Sequence, residues 1–218
     1  SVLDPEMTLS LPAKITASTA VDALTHCIEA YSCLQKNPIS DAYAVCGIKL
    51  ISENLLKLVE DLKNEELRMN VANAALVAGS AFSNSMVGAV HSIGHALGAV
   101  CHVAHGDAMS ILLPFVLDLN FEKCKKYYAE LLYFISPDEL EKGQSEEERA
   151  KLFISEVRKL LNQLHEKTGL PIRLSQTGKV TKENFNEIAI KAMADGSALV
   201  NPVALSIERI TDVLEKAF

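Results

Sequence analysis

The sequence predicts an all-α fold, a helical bundle around a buried core, and three observations carry that expectation. Long Ala- and Leu-rich stretches run without Gly or Pro. Apolar residues recur at steps of three and four, the period of a helix with one buried face. Helix start and stop signals punctuate the chain, and no strand–helix alternation, repeat or low-complexity tract interrupts them. With 218 residues, 49% of them hydrophobic and 22% charged, the chain can bury a sizeable core and is not a disordered polymer.

Residues 1–12 read as a linker. Pro5 and Pro12 flank the alternating Thr8-Leu9-Ser10-Leu11, which suggests one short strand. Residues 13–218 form the expected helical domain. Ala13 to Tyr31 is apolar almost all round, the mark of a buried helix. Asn37-Pro38 interrupts it, and Ser40 is the expected N-cap of the next helix, whose stripe is Ala44, Ile48, Ile51, Leu55 and Leu58. The charged turn Lys63-Asn-Glu-Glu66 precedes an Ala-rich helix from Leu67 to Phe82. A histidine-bearing helix follows from about Met86 to Gly98, with Gly94 and Gly98 flanking His95 where another group can come close. Gly106 opens an apolar helix that Pro114 bends. Ser136-Pro-Asp-Glu139 and Ser145-Glu-Glu-Glu148 both read as helix starts, with a capping residue and Glu three positions on. The second leads into Phe153, Val157, Leu160 and Leu164 and stops at Gly169, with Pro171 beyond. Thr181 caps a helix to about Asp195, and Ser206 caps one to the C-terminus.

Charge and cysteine content narrow the partners. The net charge is −7 and no Lys/Arg cluster marks a face, so a nucleic-acid partner is not expected. The most apolar run, Met109 to Leu119, is broken by Pro114 and too short to cross a bilayer, so no membrane partner is expected either. Five cysteines, odd in number and without a CxxC pair, fit reduced thiols in a cytoplasmic protein.

The histidines carry the chemistry. Asp22-Ala-Leu-Thr-His26 sets a carboxylate and an imidazole one helical turn apart, and His91-Ser-Ile-Gly-His95 repeats the spacing with two imidazoles. His105 follows at a loop-to-helix junction. Imidazoles with one carboxylate suit a borderline divalent metal. A plain alternative stands beside each element. Asp22 and His26 in an apolar helix could be a metal-free hydrogen-bonded pair. A lone HxxxH is common, and Ser92 stands where a zinc protease carries its general-base Glu. His102 and Cys101 compete with His105 for the loop position, and His165 reads as a surface residue.

The stretch Thr16-Ala-Ser-Thr-Ala-Val-Asp22-Ala-Leu-Thr-His26-Cys-Ile-Glu-Ala-Tyr31 resembles a signature of the iron-containing (group III) alcohol dehydrogenases. Gly88-Ala-Val-His91-Ser-Ile-Gly-His95-Ala-Leu-Gly-Ala-Val-Cys-His-Val-Ala-His105-Gly106 resembles the second. Asp4-Pro-Glu, Leu11-Pro12, Asn37-Pro38, Ser40-Asp41, Ile111-Leu-Leu-Pro114 and Gly169-Leu-Pro171 fall in the family's order. The resemblance implies the helical C-terminal domain of the dehydroquinate synthase-like architecture, with a divalent iron, sometimes replaced by zinc, held by Asp22, His26, His91 and His105. It places His95 beside the metal near the nicotinamide, as a proton relay or as a packing residue of the cleft wall, with His105 also bordering the cofactor. It further implies hydride exchange between a primary alcohol and an aldehyde with NAD or NADP, in a homo-oligomer.

Two departures stand out. Asn201-Pro202-Val203 replaces the family's usual Asn-Pro-Arg, and the Gly-rich NAD(P)-binding turn of an N-terminal α/β domain is not found in this sequence. The chain therefore reads as the C-terminal half of such an enzyme. The competing expectations are a metal-binding module without turnover, a zinc polyol dehydrogenase, or a dehydroquinate synthase-like lyase.

Overall fold

The computed structural model describes residues 2–218, so Ser1 of the expected linker lies outside it. Among the described residues eight α-helices follow one another: α1 Ala13–Ser32, α2 Pro38–Glu60, α3 Glu65–Ser85, α4 Ala89–Cys101, α5 His105–Ile135, α6 Glu146–Thr168, α7 Phe185–Met193 and α8 Ile207–Ala217. No strand occurs among the described residues. The strand expected around Thr8 is instead a 3-10 turn, Pro5–Thr8. Asp4 accepts the Glu6 N–H, Pro5 presets the first turn, and every neighbouring element is a helix that offers no strand edge to pair with.

α1 is the central post. Ala17, Val21, Leu24 and Ile28 are fully buried, and α2, α3 and α5 pack against it. The stripe of α2 is buried as its spacing requires, each large residue contributing about 1.5–3 kcal/mol. The cap differs from expectation. Asn37 accepts the N–H groups of Ile39 and Ser40, while Ser40 is the third helical residue and its hydroxyl oxygen accepts the Asn37 N–H in return. Pro38 has no N–H to offer and fits the first helical position, which moves the start three residues upstream.

α3 runs to Ser85, further than read from sequence, and α4 begins only at Ala89, after Met86 has taken a left-handed φ of 79°. Arg68, buried at the start of α3, ties that helix to the N-terminal segment: its guanidinium donates to Leu62 O, Thr16 Oγ1 and Leu11 O. α5 continues through Pro114 for 31 residues. Of the two apparent helix starts, Ser145 forms a reciprocal box with Glu148, but Ser136 heads only a 3-10 turn. Its hydroxyl donates to Glu156 across the α5–α6 pair instead of capping. α6 ends as expected, on Gly169 with φ 72°. Thr181 heads a short 3-10 turn before α7, which stops at Met193, and Ser206 caps α8. Among the described residues, no helix is long and apolar enough to cross a membrane.

Candidate metal centre

Three elements converge beside the middle of α1. Asp22 and His26 project from consecutive turns of α1, His91 and His95 do the same from α4, and His105 is the first residue of α5. Asp22, His26 and His91 each offer a donor atom, and these atoms lie within 4.8 Å of one another. His105 reaches the same carboxylate from the rim: its Nε2 is 3.2 Å from Asp22 Oδ1, against 3.5 Å for His91 Nε2. The rings themselves are clustered, with centroids 4.2 Å apart for His26–His91 and 5.5 Å for His91–His105.

Close approach of helices makes this possible. A Cβ on Gly106 would stand 2.7 Å from the backbone oxygen of Ser18, so only glycine lets the start of α5 touch α1. Gly94 likewise makes room, for the Met109 methyl; Gly98 meets only an ordinary contact, Val103 O at 3.6 Å.

Hydrogen bonding orients the rings. His26 Nδ1 donates to the backbone oxygen of Asp22 at 2.9 Å, His91 Nδ1 to Glu29 Oε2 at 2.6 Å, and His95 Nδ1 to Asp195 Oδ2 at 2.8 Å. In its neutral form each ring therefore keeps its Nε2 lone pair free. The plain alternative of an Asp22–His26 side-chain hydrogen bond does not form, because His26 uses the backbone carbonyl. Asp22 Oδ1 and His91 Nε2 are left buried with no hydrogen-bond partner. Such orphans are costly unless something else meets them. One carboxylate oxygen with three imidazole nitrogens is a donor set that fits a divalent cation of borderline softness.

The local charges follow from the same packing. Burial works against the ionised Asp22 carboxyl, yet His105, His91 and His26 together hold it well below the usual carboxylate range. Burial, with the charge of His91, pushes His26 down to about 4. Burial also opposes protonation of His91, but the Asp22 and Glu29 carboxylates on either side of its ring raise it to about 9.

The remaining candidates go elsewhere. His102 terminates α4 in a left-handed conformation and its carbonyl accepts Lys179 Nζ; Cys101 is buried in the core. His165 is half-buried, not a free surface residue, because the turn at Gly169 brings Leu170 O back to its Nδ1. Sequence reading missed Glu29 and Asp195 as partners of the histidines. Glu29 carried a faint signal, a carboxylate three residues after His26 in an apolar helix. Asp195 carried none, being 100 residues from His95.

The fold is shared with known proteins. The chain is 38% identical over 221 residues to alcohol dehydrogenase 4 of Saccharomyces cerevisiae, covering 100% of the chain and 54% of that protein. It is 36% identical over 218 residues to a 1,3-propanediol dehydrogenase of Citrobacter freundii, again covering 100% and 54%. The crystal structure of a 1,3-propanediol oxidoreductase superposes with a TM-score of 0.92 at 34% identity, covering 99% of this chain and 55% of that one. An alcohol dehydrogenase from Oenococcus oeni gives 0.91 at 31% identity, covering 99% and 54%. The chain thus spans about half the length of these relatives. The profile of the Fe-containing alcohol dehydrogenase family, C-terminal, matches residues 16–218, and the chain belongs to that family.

Proposed function

We propose that this chain supplies the metal-holding catalytic half of an NAD(P)-dependent alcohol dehydrogenase that exchanges hydride between a primary alcohol and an aldehyde. The observation that carries the reading is the pair of buried orphans, Asp22 Oδ1 and His91 Nε2, facing His105 Nε2. Asp22, His26, His91 and His105 would hold a divalent cation, iron or zinc. When bound, it supplies Lewis acidity toward the substrate oxygen.

The chain's own residues do the rest. Asp22 offsets one positive charge, while the three imidazoles bind as neutral ligands. His95 stands one turn beyond His91, its Nδ1 held by Asp195 and its Nε2 free to take the alcohol proton toward solvent; its side chain is 48% exposed. Its ring stacks on that of His105 at 5.4 Å and 19°, and these two rings form the wall against which a nicotinamide would lie. The names of the relatives, alcohol and propanediol dehydrogenases, favour alcohol oxidoreduction over the lyase reading.

NADH-dependent aldehyde reduction by the full-length protein tests the reading, with metal content measured on the same preparation. Asp22→Ala is expected to abolish both metal retention and reduction. Full reduction after metal removal, or unchanged metal content in Asp22→Ala, would refute it.

A further inference from the structure

Glu29 is 4% exposed and no apolar environment tolerates an isolated carboxylate, yet both of its oxygens are engaged. Oε2 accepts His91 Nδ1–H at 2.6 Å and Oε1 accepts the Val90 N–H at 2.7 Å. The first residue of α4 is met in the same way from outside the helix. Ala89 N–H donates to Asn201 Oδ1 at 3.1 Å, and Asn201 is itself clasped to Asn120 by two amide hydrogen bonds of 2.8 and 2.9 Å. Gly88, the residue before the helix, has no side chain to cap it, and a Cβ there would stand 3.0 Å from both Glu29 Oε1 and Asn201 Oδ1. The start of α4 is thus seated on two buried side chains, one from α1 and one from the segment after α7.

We propose that Glu29 is the positioning residue of the metal centre: it fixes the His91 ring in the Nδ1–H tautomer and so keeps the Nε2 lone pair, beside Asp22 Oδ1, open to the cation. The inference rests on the cation reading above. A carboxylate is required because it accepts on both oxygens. A glutamine in its place accepts on one only, and its amide nitrogen then faces either the Val90 N–H or His91 Nδ1. In the second orientation it drives the ring proton to Nε2, where the proton occupies the lone pair meant for the cation. A carboxylate behind a ligating imidazole also makes the ring a stronger donor, and losing such a partner typically weakens metal binding ~10–100-fold.

The test is Co2+ binding by the full-length protein, measured by chelator competition and by the visible absorption of the bound ion. Wild type is expected to bind one Co2+ per chain and Asp22→Ala none. Absence of binding in wild type would overturn the cation reading and this inference with it. Glu29→Gln is expected to fold, to bind ~10–100-fold more weakly, and to show an altered Co2+ spectrum. A residue that only caps the helix would lower the denaturation midpoint of the metal-free protein and leave affinity and spectrum unchanged. That result overturns the inference while leaving the cation reading intact. Should Glu29→Gln not fold, 1H–15N correlation spectra of metal-free wild type, taken where the His91 ring is neutral, decide the point. A proton on His91 Nδ1 supports the inference, and a proton on Nε2 overturns it.

Discussion

Gly106 links the fold directly to the site, and Gly106→Ala isolates that link. A methyl there would meet three atoms of Ser18, its backbone oxygen at 2.7 Å and its carbonyl carbon and Cβ at 2.9 Å. Two of these belong to the backbone of α1, so no side-chain rotation relieves the clash. Carbon contacts are comfortable at about 3.5–4.0 Å, so the start of α5 must withdraw from α1 by roughly 0.7–1 Å. His105 is the neighbouring residue, and its 3.2 Å approach to Asp22 Oδ1 opens by a similar amount. Overpacking of this kind costs about 1–3 kcal/mol, which at ~2–4 °C per kcal/mol for a chain of this size lowers Tm by about 2–12 °C. Gly79→Ala is the matched control. It lies in α3 with nothing within 4 Å of where the new methyl would sit, so there alanine should stabilise by about 0.5–1 kcal/mol through helix propensity. Urea denaturation followed by far-UV circular dichroism reads both variants, and metal retention reads the His105 displacement. Gly106→Ala within about 0.5 kcal/mol of wild type, or with undiminished metal retention, would refute the close-approach argument.

Asn201→Ala should cost about 1–3 kcal/mol, since Ala89 N–H and the Asn120 amide lose a buried acceptor; faster amide exchange at the start of α4 is the accompanying sign. Thiol labelling should separate Cys46, the exposed cysteine, from Cys27 and Cys124, which are fully buried and should react only on unfolding. Burial pushes both of those thiols up to about 12, from 9.0 in an exposed chain. The folded protein therefore holds protons that the unfolded chain releases. The stability is complete below pH 9 and is lost as pH rises toward 12, by at most about 1.4 kcal/mol per pH unit for each thiol. A urea midpoint that stays flat between pH 9 and 11 would contradict this. Asp195→Asn should leave the fold and metal content in place and lower kcat of the full-length enzyme more than KM, because it frees the His95 ring.

What was legible in the sequence follows the range of the interaction that decides it. α1, the stripe of α2, the capping box at Ser145 and the Gly169 stop depend on residues within a few positions, and the structure has them where the spacing puts them. Two of the failures share one cause. Ser136 looks like Ser145 in sequence, but a glutamate 20 residues away takes its hydroxyl, so the cap never forms. The short alternation after Met7 could form a strand only beside another strand, and this bundle provides none. Ser40 was the expected cap of α2, and Pro38, which fits the first helical position, gives that place to Asn37.

The same division runs through the site. One-turn spacing on α1 and α4 brings Asp22, His26, His91 and His95 near one another, but proximity alone leaves each imidazole free to turn either nitrogen inward. Orientation comes from what takes Nδ1. For His26 that partner is local, the Asp22 carbonyl four residues back. For His91 and His95 it is a carboxylate 62 and 100 residues distant, on α1 and after α7. Local periodicity therefore delivers the donor atoms and tertiary structure sets their direction. This is why Asp22 and His91 could be picked out from the chain while Glu29 and Asp195 could not. The consequence is testable in the folded protein: substitutions at Glu29 and Asp195 should change how the histidines act without moving the helices that carry them.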